Sequence, residues 1–342
     1  MSLLPPYPVL VHNYLPSTNP DPTRPLQAYE HLPFPSSFSS SSSSSSSPSP
    51  HPRPAPENAL VFLCGLGDGP HTIPYARRLA ERLAAAAPRW SVFEARLASN
   101  FSAFGCASLR RDAEEVRDLV RYLRGPATAG AGRSRVVLMG HSTGCQDCLE
   151  YARLLRRGTD KETETETETE PEVRVDGYVL QGPVSDREAI AMGEDAGEVA
   201  AAVREAEEMR RQGRGDEVMP AKALPKGWRG SPVTAYRWWS LAAVGGDDDY
   251  FSSDLPDARL AEIWGGLDVP VLVVPSAKEE WVPASLDVPA MVKRWKSFAR
   301  PGIVSELSGM IPGANHRVDN DEGQEWLADR VARFLHEVEG RM

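Results

Sequence analysis

The stretch Val136-Val137-Leu138-Met139-Gly140-His141-Ser142-Thr143-Gly144 joins an apolar, β-branched run to a Gly-x-Ser-x-Gly pattern. The run predicts a buried strand, and the residues after Gly144 are compatible with a helix. A serine on the sharp turn between such a strand and such a helix projects its hydroxyl, while the glycines let the chain pass closely. We therefore predict that Ser142 is a nucleophile; the alternative is an ordinary glycine-containing loop.

Strand-like and helix-like segments alternate on both sides of this stretch. We predict strands at 60–64, 90–96, 177–181 and 269–275, helices at 72–87 and 108–124, and edge strands within 8–14 and near 28–30. This alternation indicates the α/β class, with a mostly parallel central sheet and helices on both faces. It stops between residues 183 and 267, where a charged helical segment at 189–212 is followed by aromatic residues. We predict that residues 183–267 form an inserted cap over Ser142.

Length and composition favour a single domain with insertions. The 342 residues are 41% hydrophobic, enough for one large core, so we predict one domain over residues 1–342. Residues 36–56 are almost all serine and proline, and residues 159–172 carry a Thr-Glu repeat, so both are predicted to be low-complexity surface loops. Between residues 160 and 172, six glutamates and one aspartate against one lysine supply −6 of the formal net charge of −10. No basic region suits nucleic acid, and no apolar run is long enough for a membrane span.

The cysteines and the N-terminus bear on location and on cofactors. The first residues lack a basic segment and contain prolines, which argues against a secretory signal. Four cysteines fit a reducing compartment, so we expect a cytoplasmic protein. Cys145 and Cys148 form a C-x-x-C without a second pair, and we interpret them as small buried residues rather than a zinc or redox site. We expect no metal and no cofactor.

A nucleophilic serine in this kind of turn requires a histidine and an acid later in the chain. Of the seven histidines, His316 lies in a loop between a strand-like run at 303–307 and a final helix, whereas His336 lies within that helix. We predict that His316 is the base. The acid should follow the strand at 269–275, where the candidates are Glu279 and, as the alternate, Glu280. A solvated turn is the other reading of these glutamates.

The negative charge that develops on the acyl oxygen requires backbone N–H donors. Thr143, the residue after the serine, supplies one. The glycine-rich loop 65–69, after the strand at 60–64, should supply the second from Leu66 or, next, Gly67. A phosphate-binding loop is the alternative, but the loop lacks a Gly-Lys-Ser/Thr ending and a G-x-G-x-x-G pattern.

Aromatic residues are concentrated in the second half of the predicted cap. They could line an acyl or alcohol pocket, or they could attach the cap to the core. The five residues are Tyr236, Trp238, Trp239, Tyr250 and Phe251.

Several blocks carry a resemblance to a known family. The first block is the Gly-x-Ser-x-Gly turn with the residues that follow it, Gly140-His141-Ser142-Thr143-Gly144-Cys145-Gln146-Asp147. The other blocks are 62–69, 232–241 and 246–255. Together they resemble a largely fungal family of α/β-hydrolases that includes the intracellular fusarinine C esterase of siderophore metabolism. The resemblance implies an α/β-hydrolase fold and a cytoplasmic serine esterase that cleaves a small-molecule ester, with a hydroxamate siderophore as the substrate class. Where such sequences read Ser-Gly-x-Asp-Glu-Tyr-Val-Pro, this chain has Glu279 at the position of the aspartate.

Two alternatives to siderophore ester cleavage remain at this point. One is a hydrolase of another ester, lactone or thioester of secondary metabolism, because one fold and one set of catalytic groups serve many esters. The other is a non-catalytic member that uses the fold as a binding or scaffold module.

The acidic repeat generates a first prediction. Deletion of residues 163–170 should leave kcat and KM for a simple ester within about twofold of the wild type, because a solvated loop of this composition has no part in a packed site. Steady-state kinetics measure this, with equal unfolding curves as the control. A large loss of turnover would show that the repeat contributes to the site.

Overall fold

The computed structural model describes residues 6–17, 21–32, 56–128, 130–159 and 173–341. The serine-rich segment predicted at 36–56 lies outside these residues except for Pro56, and the Thr-Glu segment lies outside them except for Thr159, the last residue of a helix.

Seven strands of the described residues form one sheet. Five of them run parallel, while the first two are antiparallel to their neighbours and lie at one edge, so the predicted mostly parallel sheet is confirmed. The order across the sheet is β1-β2-β4-β3-β5-β6-β7. The strands are β1 Val9–Tyr14, β2 Leu26–His31, β3 Asn58–Leu63, β4 Trp90–Arg96, β5 Arg135–His141, β6 Gly177–Gln181 and β7 Val271–Val274.

Several helices of the described residues begin at a side-chain cap. Ser108 accepts a hydrogen bond from the Arg111 N–H at the start of the second helix, as a preferred N-cap residue does. The charged segment predicted at 189–212 is helical and contains the end of one helix and the whole of a second, which Asp195 caps. The helices are α1 Pro74–Ala86, α2 Leu109–Arg124, α3 Gly144–Thr159, α4 Asp186–Gly193, α5 Ala196–Arg211, α6 Ala235–Ala242, α7 Asp257–Gly265, α8 Val288–Phe298 and α9 Asp321–Gly340; short 3₁₀ helices lie at Phe101–Cys106, Ala221–Ala223 and Lys226–Trp228.

Alternate residues of the central strands face opposite sides of the sheet, as the strand period of two requires. Val61 and Leu138 belong to one apolar cluster, which α2, α3, α7 and α8 complete. Leu60 and Val137 belong to a second cluster, completed by α1 and α9. Both faces of β3 and β5 are therefore buried, which explains their continuous apolar runs.

The strand-like run at 303–307 does not form a strand. It makes a single parallel bridge, between Val304 and Val271 of β7. The chain turns directly afterwards, because the Ser305 carbonyl accepts the Ser308 N–H and the Ser305 hydroxyl donates to Glu337 on α9. The expectation of a full strand was therefore wrong, although the loop beyond this turn does return to the sheet edge: Ser276, just after β7, makes a parallel bridge with Ile311.

Residues 186–242, called here the helical insertion, have an apolar cluster of their own. It contains Ile190 of α4, Met209 of α5 and Trp238 of α6, and it includes the partly buried Leu66 from the loop after β3. Residues of α7 belong instead to the cluster on the sheet face. The segment between β6 and β7 therefore has two parts, of which only the first packs around a separate core.

Arg237 of α6 connects the helical insertion to the part of the protein that contains the sheet. Its side chain is only 2% exposed, and Nη1 donates to both carboxylate oxygens of Asp248 at 2.7 Å. Its Nε donates to the Phe104 carbonyl at 3.0 Å, and the Thr234 N–H at the start of α6 donates to the Gly105 carbonyl at 2.8 Å. These contacts attach α6 to the 3₁₀ helix that follows β4.

Three more buried aspartates surround this guanidinium, namely Asp112 on α2, Asp147 on α3 and Asp186 on α4. Burial penalises the charged carboxylate, and it raises the pKa of Asp112 and of Asp186 to about 7. The pKa of Asp147 is also raised, by burial and by the neighbouring Asp112. One guanidinium does not neutralise four carboxylates, so part of this cluster holds protons at neutral pH.

This cluster predicts a pH dependence of stability. The raised pKa of Asp112 means that the folded protein binds more protons than the unfolded one between about pH 4 and about pH 7. The stability associated with this proton is complete below the unfolded pKa and is lost as the pH rises through about 7. The variant Asp112→Asn should therefore lose less free energy of unfolding than the wild type between about pH 5.5 and about pH 7.5, measured by urea denaturation.

The exposed Asp216 offers a matched control, and Asp216→Asn should keep the wild-type difference. An Asp112→Asn protein with the same loss as the wild type would contradict the prediction.

Candidate active site

Ser142 lies between β5 and α3 in a left-handed backbone conformation, with φ of +55°. Only glycines fit around it. A Cβ on Gly140 would lie 2.2 Å from the Gly144 carbonyl oxygen, and a Cβ on Gly144 would lie 2.4 Å from the Leu63 carbonyl oxygen. A Cβ on Gly65 would lie 2.8 Å from the Ser142 Cβ, so the loop after β3 contacts the serine directly. The turn expected from the Gly-x-Ser-x-Gly pattern is formed.

His316 and Glu279 meet at the ends of two different loops. The His316 Nδ1 lies 2.9 Å from the Glu279 carboxylate, and the two side chains are 7% and 4% exposed. A carboxylate only accepts hydrogen bonds, so Nδ1 carries the proton of this contact, and in the neutral ring the lone pair is on Nε2. The Trp281 N–H also donates to Glu279, at 3.2 Å. Gly182, with φ of +59°, lies against this pair, and a Cβ there would be 3.2 Å from the His316 ring.

Glu280 occupies a different position from its neighbour. Its carboxylate accepts the backbone N–H of His316 at 2.8 Å and makes no contact with the imidazole nitrogen that Glu279 engages. The residue is exposed. The two candidate acids therefore differ in geometry: Glu279 orients the ring, and Glu280 holds the loop.

Backbone N–H groups are free at the positions expected for an oxyanion hole. Among the described residues, no acceptor receives the N–H of Thr143, Leu66 or Gly67. Thr143 is buried, and a buried N–H without a partner is rare in folded proteins. The Thr143 hydroxyl donates to Asp186 at 3.3 Å, which fixes its side chain. These amides are available to an oxygen atom of a bound ligand.

An ion pair connects the two loops that flank the serine. Arg317, next to His316, donates through Nη1 to both oxygens of Asp68 at 3.0 and 3.1 Å, and through Nη2 to the Thr72 carbonyl at 2.7 Å. Asp68 follows Gly67 in the loop after β3. The imidazole loop and the loop with the free amides are therefore held in one arrangement.

His141 is buried beside the ring of His316. Its Nδ1 lies 2.5 Å from the Gln181 side-chain oxygen, and its ring centroid is 4.9 Å from that of His316. Burial and the neighbouring His316 lower the pKa of His141 to about 3, so it stays neutral. Gln181 also donates to the His316 carbonyl at 3.3 Å. Neither residue was identified from the sequence, although both end buried strands at the edge where loops converge.

A cavity of about 560 Å³ opens beside the serine. Ser142 and His316 both line it, with apolar walls from Leu66, Val184 and Ile190. The volume is in the range of small-molecule sites. Two tryptophans, Trp228 and Trp281, also line the cavity.

The structure corrects the expectation that five other aromatic residues line this cavity. None of Tyr236, Trp238, Trp239, Tyr250 and Phe251 is among the residues around it. Trp238 is fully buried in the core of the helical insertion, and Tyr250 and Phe251 are buried in the core on the sheet face. Tyr236 and Trp239 pack against each other on α6. The alternative, attachment of the segment to the core, accounts for them.

One cluster of the described residues has potential metal ligands, namely His31, His71 and Glu94, whose ligand atoms lie within 4.8 Å of one another. The His31 Nε2 lies 2.6 Å and the His71 Nδ1 2.9 Å from the Glu94 carboxylate, which also accepts the His71 N–H at 2.7 Å. Glu94 is thus hydrogen-bonded by protein groups, which lower its pKa to about 2.

The four cysteines are free, and Cys145 and Cys148 are buried core residues, as expected.

The chain is similar to a family of proteins and to two esterases of fungi. A family model described as a protein of unknown function, DUF1749, matches residues 47–336. A fusarinine C esterase of Aspergillus fumigatus is 31% identical over 320 residues, which cover 81% of this chain and 88% of that protein. An esterase of Emericella nidulans is 30% identical over 333 residues, with coverage of 83% and 87%.

A solved structure extends the comparison to the fold. The siderophore hydrolase EstB of Aspergillus fumigatus superposes with a TM-score of 0.70 at 26% identity, covering 98% of this chain and 99% of that one. An α/β-hydrolase fold protein of unknown function superposes with a TM-score of 0.62 at 17% identity. The α/β-hydrolase fold implied by the sequence resemblance is confirmed. No helix among the described residues has the length and apolar character that crossing a bilayer requires.

These relatives identify the chain as a carboxylic ester hydrolase, in agreement with the resemblance read from its motifs. The match over residues 47–336 spans most of the chain, so the protein is a member of the DUF1749 family.

Proposed function

We propose that Ser142, His316 and Glu279 are the catalytic groups of this esterase and that it cleaves the ester bonds of a fusarinine C-type siderophore inside the cell. The observation that carries the catalytic assignment is the 2.9 Å contact between Glu279 and Nδ1 of an imidazole that shares a cavity with Ser142. The siderophore assignment is supported by the fusarinine C esterase and the siderophore hydrolase among the relatives. The four cysteines are free, as is usual in a reducing compartment, and this supports an intracellular location.

The first chemical step is attack on the ester carbonyl. His316 accepts the Ser142 proton at Nε2, because Nδ1 is already protonated and held by Glu279. The serine oxygen then bonds to the carbonyl carbon, and Glu279 stabilises the imidazolium that forms. His316 next donates its proton to the departing alcohol, which leaves an acyl-serine.

The second step releases the acid. Water gives a proton to His316 and attacks the acyl carbon, and the returning proton regenerates the Ser142 hydroxyl. In both steps the free amides of Thr143 and Leu66, with Gly67 next in line, stabilise the negative oxygen. The Asp68–Arg317 ion pair keeps the amide loop and the imidazole loop aligned. We propose that the helical insertion forms the cap wall of the substrate cavity.

The nucleophile assignment predicts the behaviour of Ser142→Ala. A fluorophosphonate probe should label the wild type and should fail to label the variant, because only an activated serine attacks the phosphorus. Turnover of p-nitrophenyl acetate should fall by about a thousandfold or more. Ser297→Ala, which removes an exposed hydroxyl on α8, is the matched control and should keep both signals. Equal labelling of Ser142→Ala and wild type would refute the assignment.

The two glutamates give a second test of the site. Glu279→Gln should lower kcat by about a thousandfold, because an amide does not stabilise the imidazolium and can hold the wrong tautomer. Glu280→Gln should lower kcat by less than about tenfold, since its amide oxygen still accepts the His316 N–H. Steady-state kinetics of the two variants measure these losses of kcat. A larger loss in Glu280→Gln than in Glu279→Gln would identify Glu280 as the catalytic acid.

The substrate assignment is tested by comparing fusarinine C, its acetylated relative and simple p-nitrophenyl esters. Preferred hydrolysis of a fusarinine, followed by mass spectrometry of the released fragments, is the expected outcome. Hydrolysis of simple esters alone would retain the esterase mechanism and reject the siderophore.

A further inference from the structure

The walls of the substrate cavity carry an excess of negative charge. Among the residues that the structure describes, four carboxyl groups and one guanidinium, that of Arg317, line it. The carboxyl groups belong to Asp68, Asp186, Glu194 and Glu280. A cavity lined by one sign of charge concentrates ligands of the opposite sign.

Two of these carboxyl groups are already occupied by protein groups. Asp68 forms the ion pair with Arg317 at 3.0 Å. Asp186 is buried and accepts the Gln146 amide at 2.7 Å and the Thr143 hydroxyl at 3.3 Å, and burial raises its pKa to about 7. Neither is available to attract a ligand cation.

The other two carboxylates keep their charge uncompensated. Glu194, at the end of α4, accepts the Gly227 N–H at 3.3 Å, and Glu280 accepts the His316 N–H at 2.8 Å. Within the described ranges, no lysine, arginine or histidine side chain forms an ion pair with either of them. Each carboxylate therefore has accepting capacity left beside the cavity.

Two indole rings line the same cavity. Trp228 packs edge-on against Phe104 and Trp238, with ring centroids 5.9 and 5.0 Å apart, which fixes its orientation. Trp281 is 46% exposed and meets His316 at right angles, with centroids 6.5 Å apart. The face of an indole attracts cations, more strongly than other aromatic rings do. One half-buried and one exposed indole beside unpaired carboxylates are suited to an organic cation.

We propose that Glu194 and Glu280, together with Trp228 and Trp281, form a binding site for a protonated amine carried by the ester substrate. The inference rests on the proposed function, since it takes the ester carbonyl to lie at Ser142 in this cavity. A primary ammonium group donates up to three hydrogen bonds, which two carboxylates can accept, while its alkyl chain lies against the apolar walls. The site selects among esters by charge and leaves the reaction at the serine unchanged.

The experiment compares two esters that differ only in charge. Methyl 6-aminohexanoate and methyl heptanoate have the same chain length, with an ammonium in place of the terminal methyl group. The wild type should show kcat/KM about fivefold higher for the ammonium ester, the size expected for a partly exposed ion pair. This ratio should fall when salt is added, because added ions screen exposed charges.

Variants show which residues cause the preference for the ammonium ester. Glu194→Gln and Glu280→Gln should each lower the ratio of the two kcat/KM values, and the double variant should bring it to about one or below. Because the ratio compares two esters on one protein sample, a loss of folded protein does not change it. Glu207→Gln, at an exposed position on α5, is the matched control and should keep the wild-type ratio. A wild-type ratio of one or less, or an unchanged ratio in the double variant, would overturn the inference.

A second readout does not depend on turnover. Hexylammonium should slow fluorophosphonate labelling of Ser142 at lower concentration than 1-hexanol, Glu194→Gln should reduce this difference, and the double variant should abolish it. Equal protection by the two compounds overturns the amine site and leaves the serine mechanism intact. Absence of labelling at Ser142 contradicts the proposed function, and this inference with it.

Discussion

Crowding of the backbone around Ser142 is the constraint on which the rest of the site depends. Side chains at Gly65, Gly140 or Gly144 would place a Cβ within 2.8 Å of neighbouring atoms, so the ends of β3 and β5 approach each other as closely as main chains can. The left-handed conformation of Ser142 costs about 1–3 kcal/mol, which the buried strands on either side offset. Because parallel strands end at one edge of the sheet, the loops that carry Leu66 and Glu279 arrive at the same place, and the bridge between Ser276 and Ile311 brings the loop of His316 to the same edge.

Much of this arrangement could be predicted from the sequence, because it is recorded in local patterns. Continuous apolar runs identified β3, β5 and β7, and the chain order of serine, acid and histidine led to Glu279 and His316. The choice between Glu279 and Glu280 could not be made with the same assurance. It depends on which carboxylate reaches an imidazole ring and which reaches a backbone N–H, and adjacent residues leave no periodic signal for that difference.

The lining of the cavity was beyond the reach of sequence reasoning for a related reason. Trp228 and Trp238 are ten positions apart in one aromatic-rich segment, yet the first lines the cavity and the second is buried behind it. Composition shows that a segment is rich in aromatic residues, but it does not show which of their side chains face the cavity and which face the core. The unpaired carboxylates of Glu194 and Glu280 come from segments far apart in the chain, and only the fold brings them to one cavity.

The buried guanidinium of Arg237 has a consequence for how a substrate enters. Swinging α6 away from the sheet would break the contact of Arg237 with the Phe104 carbonyl and that of the Thr234 N–H with the Gly105 carbonyl, and it would draw the guanidinium away from Asp112 and Asp147. That cost makes a rigid hinged opening of the whole helical insertion unfavourable. A substrate therefore reaches Ser142 through the cavity that α4 and the 3₁₀ helix carrying Trp228 line, while α6 keeps its place against the 3₁₀ helix that follows β4.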